Sequence, residues 1–310
     1  MSAQHRQSGT AIITALLVVA LASIVATELI ARTSLDIRRT ENTLLNDQAY
    51  LLALGMEAWA MQVLVKDRQD NEYDHLDEPW AGTLEPASLD AGDIGGKIVD
   101  LNARFNLNNL VDDNGKQSKA DVEGFRRLLD ALEIEADLAS RVVDWIDSNI
   151  NETLPNGAED NAYLDASPPY RVANNKMVSA SELLLIKGFT QEHYKKLQPY
   201  IAALPERTKV NINTASAPVL IASIPELSLD EAQGIIDDRP EQGYADVNAF
   251  RGLQAFEGRS VNNIDVKSDY FLIASFSQNG RSVVRLNTLI QRGEDEKLPV
   301  RILMRSRGEI

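Results

Sequence analysis

The sequence predicts an α+β fold. A long N-terminal helix packs on an antiparallel sheet, and a large all-α segment is inserted between the first and last strands. Three observations lead there. Residues 8–27 carry no charge and continue, with no proline before Pro79, into a segment whose apolar residues recur at three- and four-residue spacing. Residues 265–310 read as strands about an Asn279-Gly280 turn. Residues 112–264 read as short helices joined by turns.

The helix comes first. An uncharged run of about 20 residues matches a hydrocarbon core of about 30 Å. Arg6 on the short N-terminal side predicts that this side stays cytoplasmic and that the remainder is exported. A cleaved secretory signal peptide is the competing reading. The length of the apolar run and its unbroken helical continuation oppose it. Over 28–66, Leu45, Ala49, Leu52, Met56, Trp59 and Val63 fall on one face. A helix over 10–66 is about 85 Å long, half in lipid and half on a globular head. Gly55 costs it about 1 kcal/mol relative to alanine.

These residues carry a resemblance. Gln7-Ser8-Gly9 before Thr10-Ala-Ile-Ile-Thr-Ala-Leu-Leu17 resembles a prepilin leader cut after glycine. Most pilins carry Glu at the fifth mature position, which here is Thr14. The chain is similar in that departure to the minor pseudopilin K family of type II secretion (general secretion pathway protein K). It is similar also in length and in Asp144-Trp-Ile-Asp147, Gly157-Ala-Glu-Asp160 and Val210-Asn-Ile-Asn-Thr-Ala215. The resemblance covers nearly the whole chain and implies a type IV pilin-like fold. It implies a prepilin peptidase that cuts between Gly9 and Thr10 and methylates Thr10. It implies partners among the other minor pseudopilins (the I, J and H types) at the tip of a periplasmic filament. The anchor is then 10–27, single-pass in a bacterial inner membrane, with the globular part in the periplasm.

Composition fits an exported, anchored protein. The chain has 310 residues, no cysteine and a net charge of −15. It therefore lacks disulfides and thiol chemistry. The acidic balance disfavours nucleic acid and suits divalent cations or basic protein surfaces.

Residues 67–95, punctuated by Pro79, Gly82, Pro86, Gly92, Gly95 and Gly96, read as loop. Residues 97–110 read as a strand or hairpin arm. Helices follow over 119–148, with apolar stripes at Phe125, Leu128, Leu129 and Leu132 and at Leu138, Val142, Trp145 and Ile146. Residues 112–170 hold fourteen acids and five bases.

Within that surplus, Asp147, Asn149 and Asn151 stand two apart at a helix end, and Glu159 and Asp160 return across a Pro155-Asn-Gly157 turn. Hard oxygen ligands in this pattern suit Ca²⁺, and with no His or Cys nearby zinc and copper do not fit. It is not an EF-hand, because Glu152 takes the place of the sixth-position glycine. The residues alone leave two readings, a calcium loop and a solvated acidic turn. The resemblance implies structural calcium in this part of the chain.

Two helical hairpins follow. Ser179 and Glu182 form a capping box for the first, which turns at Gly188. In the second, a helix opens after Asn213 or Thr214, turns at Pro225–Ser228 and continues over 230–237, with another start near Gly243. This second unit resembles helix-hairpin-helix DNA-binding modules, so a membrane-anchored protein binding nucleic acid or another protein, as in DNA uptake, is the alternative function. Its hairpin lacks glycine, and residues 209–258 hold eight acids against three bases, which repels phosphate. No nucleic-acid partner is expected. Nor is an enzyme: His5, His75 and His193 are the only histidines, and no nucleophile–base set converges.

The expected organisation is a leader at 1–9, the membrane half of the helix at 10–27, the first part of the pilin head at 28–111, the α-helical insertion at 112–264 and the rest of the head at 265–310.

Overall fold

The computed structural model describes residues 8–89, 92–256, 259, 261–293 and 298–307. Helix α1 spans Ser8–Asp70, 63 residues or about 95 Å. Gly9 and Thr10 lie in its first turn. The rest of the expected leader, 1–7 with His5 and Arg6, lies outside the described residues. Among the described residues this helix is the one long and apolar enough to cross a membrane; its best window has a mean hydropathy of 2.4 and is wholly unburied. The hydroxyls of Ser23 and Thr27 donate to Val19 O and Ser23 O, both at 2.8 Å, so the polar groups in this half are satisfied by their own helix.

The lower half of α1 buries Ala49, Ala53, Met56, Ala60 and Leu64. This seam is rotated from the expected one. Leu45, Leu52 and Val63 sit at its border and Trp59 is exposed. The reason is close approach. Alanines let the helix backbone lie against the sheet, where the Ser275 hydroxyl reaches Ala53 O at 3.2 Å and that of Ser277 bonds Ala49 O. Glu57 is buried in the same seam, paired with the Arg305 guanidinium at 2.6 and 2.8 Å and bonded by the Thr288 hydroxyl.

The expected loop at 67–95 contains strand β1 (Thr83–Leu89) and the start of β2 (Gly92–Asp100). Glycine acts here as a packing residue. A Cβ at Gly96 would stand 2.7 Å from Ala274 O on the neighbouring strand. Pro86 lies where the β1–β2 register shifts, on an edge strand that tolerates it. The expected arm at 104–110 is instead a two-residue strand β3 (Phe105–Asn106) and a 3-10 turn over Leu107–Leu110. The Asn106 side chain accepts Asn108 N–H at 3.1 Å and caps that turn.

The helical region is two units of one plan. In the first, β3 leads to α2 (Lys119–Ala131), α3 (Leu138–Ile146), a long loop, a 3-10 helix over Ala180–Leu185, α4 (Gln191–Leu197) and β4 (Ile201–Ala202). Strand β4 pairs in parallel with β3. In the second, β5 (Val210–Asn211) leads to α5 (Ala217–Ser223), α6 (Leu229–Asp237), α7 (Val247–Arg251) and β6 (Ile264–Asp265), which closes in parallel on β5. Helix α5 begins later than expected, at Ala217, because 210–211 is spent on the strand and Pro218 fits a first helical turn. Capping boxes at Ser179/Glu182 and Ser228/Glu231 are both formed. The units pack through α2 and α5. A Cβ at Gly124 would lie 2.6 Å from Ala222 O, and Arg127 donates to Ile221 O and Ala222 O at 3.0 and 2.7 Å.

The chain then returns to the sheet through β7 (Tyr270–Asn279), β8 (Ser282–Arg292) and β9 (Val300–Ser306). The sheet has five antiparallel strands in the order β1-β2-β7-β8-β9, not the three read at 265–310 alone, and α1 covers one face. Gly280 supplies a φ of +59° at the β7–β8 turn. A buried network joins the second unit to this head. Asn211 Nδ2 donates to Asp74 O, Asp100 Oδ2 and Ser268 Oγ, and the Thr214 hydroxyl donates to Asp100 Oδ2 at 2.5 Å.

Candidate metal centre

Helix α3 ends where its apolar stripe does. Leu138, Val142, Trp145 and Ile146 are buried, and Asp144 in the last turn and Asp147, the residue that caps the helix, are buried with them. Asp144 is fully enclosed. Its Oδ1 accepts Thr153 N–H at 2.9 Å and its Oδ2 accepts Ala158 N–H at 2.6 Å. One carboxylate thus ties two points of the following loop to the helix end. Glycine is required at 157, where a Cβ would run into Asp144 Oδ2 and the Thr153 carbonyl. Packing of Tyr163 on Trp145 and Tyr170, at ring separations of 5.7 and 5.3 Å, holds the far side of the loop.

This folding brings Glu159 back over the helix end. Glu159 is 5 % exposed, and neither carboxylate oxygen has a hydrogen-bond donor. Burial, then the charges of Asp144, Asp147 and Asp160, push its carboxyl up to about 7. Asp147 is pushed up to about 6, chiefly by burial, although it accepts Asn149 N–H at 3.1 Å and the Asn149 side-chain amide at 2.7 Å. Asp160 accepts Val172 N–H at 3.2 Å and lies 3.6 Å from Arg171. Asn149 and Asn151 are exposed, and Asn149 turns its carbonyl oxygen onto Asn151 N–H at 2.8 Å. Of the five residues expected here, Asp147 and Glu159 are buried and Asp160 is half-buried against Arg171. Asp147 and Asp160 stand close enough to raise the Glu159 carboxyl, but the three are not gathered within 4.8 Å of one another, and the two asparagines shape the loop. Asp144 was absent from that expectation. Its signal was an acid three residues before Asp147, inside an apolar stripe where a carboxylate costs several kcal/mol unless partnered.

A second group of acids has the opposite character. Oxygens of Asp67, Asp74 and Glu78 lie within 4.8 Å of one another, but Arg292 fills the space, donating to Asp67 at 2.8 Å, to Asp74 and to Ser268 O. This is a buried ion-pair centre.

Comparison with known proteins places the chain. Two family models described as type II secretion system (T2SS), protein K, match residues 103–206 and 210–270, close to the limits of the two helical units. Type II secretion system protein K of Pseudomonas aeruginosa is 40% identical, the match covering 98% of this chain and 93% of that protein. The chain belongs to the type II secretion system protein K family. The protein K of Aeromonas hydrophila is 33% identical over 96% of this chain and 97% of its own. A solved chain from the GspK-GspI-GspJ complex of the enterotoxigenic Escherichia coli type 2 secretion system matches with a TM-score of 0.76 and 25% identity, covering 88% of this chain and all of that one. As a member of this family the chain is a minor pseudopilin, and its single apolar N-terminal helix fits a single-pass inner-membrane anchor. The expectation of a structural role agrees with the family, which is a secretion-system component.

Proposed function

We propose that this protein caps or initiates the tip of a periplasmic pseudopilus, in a complex with minor pseudopilins of the I and J types, and that its helical region holds a structural Ca²⁺. One observation supports the tip position above others. The Thr14 hydroxyl donates to Thr10 O and Ala11 O of its own helix, at 3.2 and 3.0 Å. It offers no carboxylate to the mature N-terminal ammonium of a neighbouring subunit, and burying that charge unpaired costs several kcal/mol. A subunit of this kind belongs where no neighbour sits above it. The helical units, a large addition to the head, suit a position free of close packing on one side.

The acids at the end of α3 fit a divalent cation. Glu159 has two buried oxygens without donors, and an uncompensated buried carboxylate is what a hard cation neutralises. Glu159, Asp147 and Asp160 are the residues that would hold it, with Asp144 positioning the loop. The bound ion would neutralise the site and fasten the loop to α3. The globular part lies in the periplasm in this reading, and prepilin peptidase cuts after Gly9. The test is co-purification of the soluble part, from about residue 30, with the I- and J-type pseudopilins. A stable complex containing all three supports the reading; a protein that stays alone at concentrations well above micromolar contradicts it.

A further inference from the structure

The two helical units close in the same way but by paths of different length. In the first, the Asn108 side chain holds Met177 by both backbone groups, accepting its N–H at 2.8 Å and donating to its carbonyl at 2.9 Å. In the second, Asn213 holds Tyr244 identically, at 2.7 and 3.0 Å. Ser179 and Asp246, each two residues further on, then cap the next helix. Between α6 and Tyr244 the second unit uses six residues, 238–243; between α3 and Met177 the first uses thirty, 147–176. Closing the unit does not require the additional length.

The near part of this loop is held firmly. Gly157 N–H bonds Thr153 O at 2.8 Å, Arg141 donates to Asn156 O at 3.0 Å, and Asn156 donates to Asp137 at 2.9 Å. Yet Ile150 and Leu154 are 80 % and 87 % exposed, the two most exposed large apolar side chains among the described residues, the membrane half of α1 included. Residues 144–165 carry no base, and of their acids Glu152 and Asp165 are exposed.

We propose that this loop is a docking element, with Ile150 and Leu154 as its anchors, for a folded protein that presents an apolar pocket rimmed by Lys and Arg. A fixed loop gives up little conformational entropy on binding. Its two apolar side chains provide the buried centre of a contact, and the exposed Glu152 and Asp165 provide steering and choice of partner. Glu152 and Asp165, on a chain of net charge −15, repel an anionic lipid surface and a second copy of this chain. The inference stands on loop length and exposure and is independent of the cation.

A photo-crosslinking amino acid at 150 or 154, in the full-length protein within cells carrying the complete secretion apparatus, tests it. A third site, the half-exposed Leu229, is the control. Both loop positions should give an adduct with the same protein, identifiable by mass spectrometry, and the control should not. That protein, purified, should bind the full chain in detergent. Binding should weaken about tenfold in the Ile150→Ser, Leu154→Ser variant, with an unchanged melting temperature. It should weaken also with added salt and in Glu152→Lys. Adducts with lipid or with a second copy of the chain, no adduct, or binding indifferent to both variants would overturn the proposal.

Discussion

Asp144 fixes Glu159 through the backbone: its Oδ2 accepts the N–H of Ala158, the preceding residue, at 2.6 Å, and Glu159 is left buried with no donor on either oxygen. A carboxylate is thereby delivered to the end of α3 with nothing in the chain to neutralise it. If Ca²⁺ does so, a ligand of the native state alone adds about 2.7 kcal/mol at a hundred times its Kd. Chelator should lower the melting temperature of the soluble part, and Asp147→Ala with Glu159→Ala should abolish that response. Equal responses in variant and wild type would place the ion elsewhere or remove it from the account.

Gly55 lies inside α1 on its exposed side, and a Cβ there meets nothing within 4 Å. Gly55→Ala should stabilise the isolated protein by about 1 kcal/mol, measured by chemical denaturation. A loss of stability would mean that the helix is bent or contacted at this point.

Much of the fold was legible in the sequence, and the failures have definite causes. The uncharged run, the Asn279-Gly280 turn and the Ser179/Glu182 box are local signals, and local structure obeyed them. Strand β1 and the first part of β2 were hidden because Gly92 and Gly96 read as breakers, whereas they admit a neighbouring backbone, which is a tertiary fact. Trp59 belonged to the larger-looking helical stripe, yet the sheet chose the alanine face because it lies closer there. At the candidate site the acids were visible but the burial of Asp147 and Glu159 by the returning loop was not. Asp144 read as part of a helix, and its bonds to Thr153 and Ala158 depend on how the loop returns. The likeness of Asn108 and Asn213 was hidden because Met177 and Tyr244 lie at very different distances along the chain.

In the ion-pair centre a single guanidinium, Arg292, faces both Asp67 and Asp74, with Glu78 beside them. Burial first, then the charge of Glu78, pushes the Asp67 carboxyl up from 3.8 to about 7. A carboxyl raised on folding binds more protons in the native state across that interval, so its contribution to stability falls as pH rises from about 4 to 7. Asp67→Asn keeps an acceptor for Arg292 and removes this titration. The variant should therefore lose less stability than wild type between pH 5 and pH 8, as followed by thermal melts. An identical pH dependence would show that Asp67 is ionised throughout.

Processing supplies another test. Gly9 stands immediately before Thr10 in the first turn of α1. With the peptidase present, a bulky residue at 9 should leave the precursor uncut. N-terminal sequencing that finds Thr10 first in such a variant would refute the assignment.

The central claim is the position of this subunit at the end of a filament, and Thr14 decides how to measure it. Its hydroxyl is bonded within its own helix, so residues 10–30 should meet other pseudopilin helices on one axial side only. Site-specific crosslinks placed along 10–30 in assembled filaments read this directly. Partners found on one side alone are the predicted result. Partners found equally above and below, with the protein at internal positions, would contradict it.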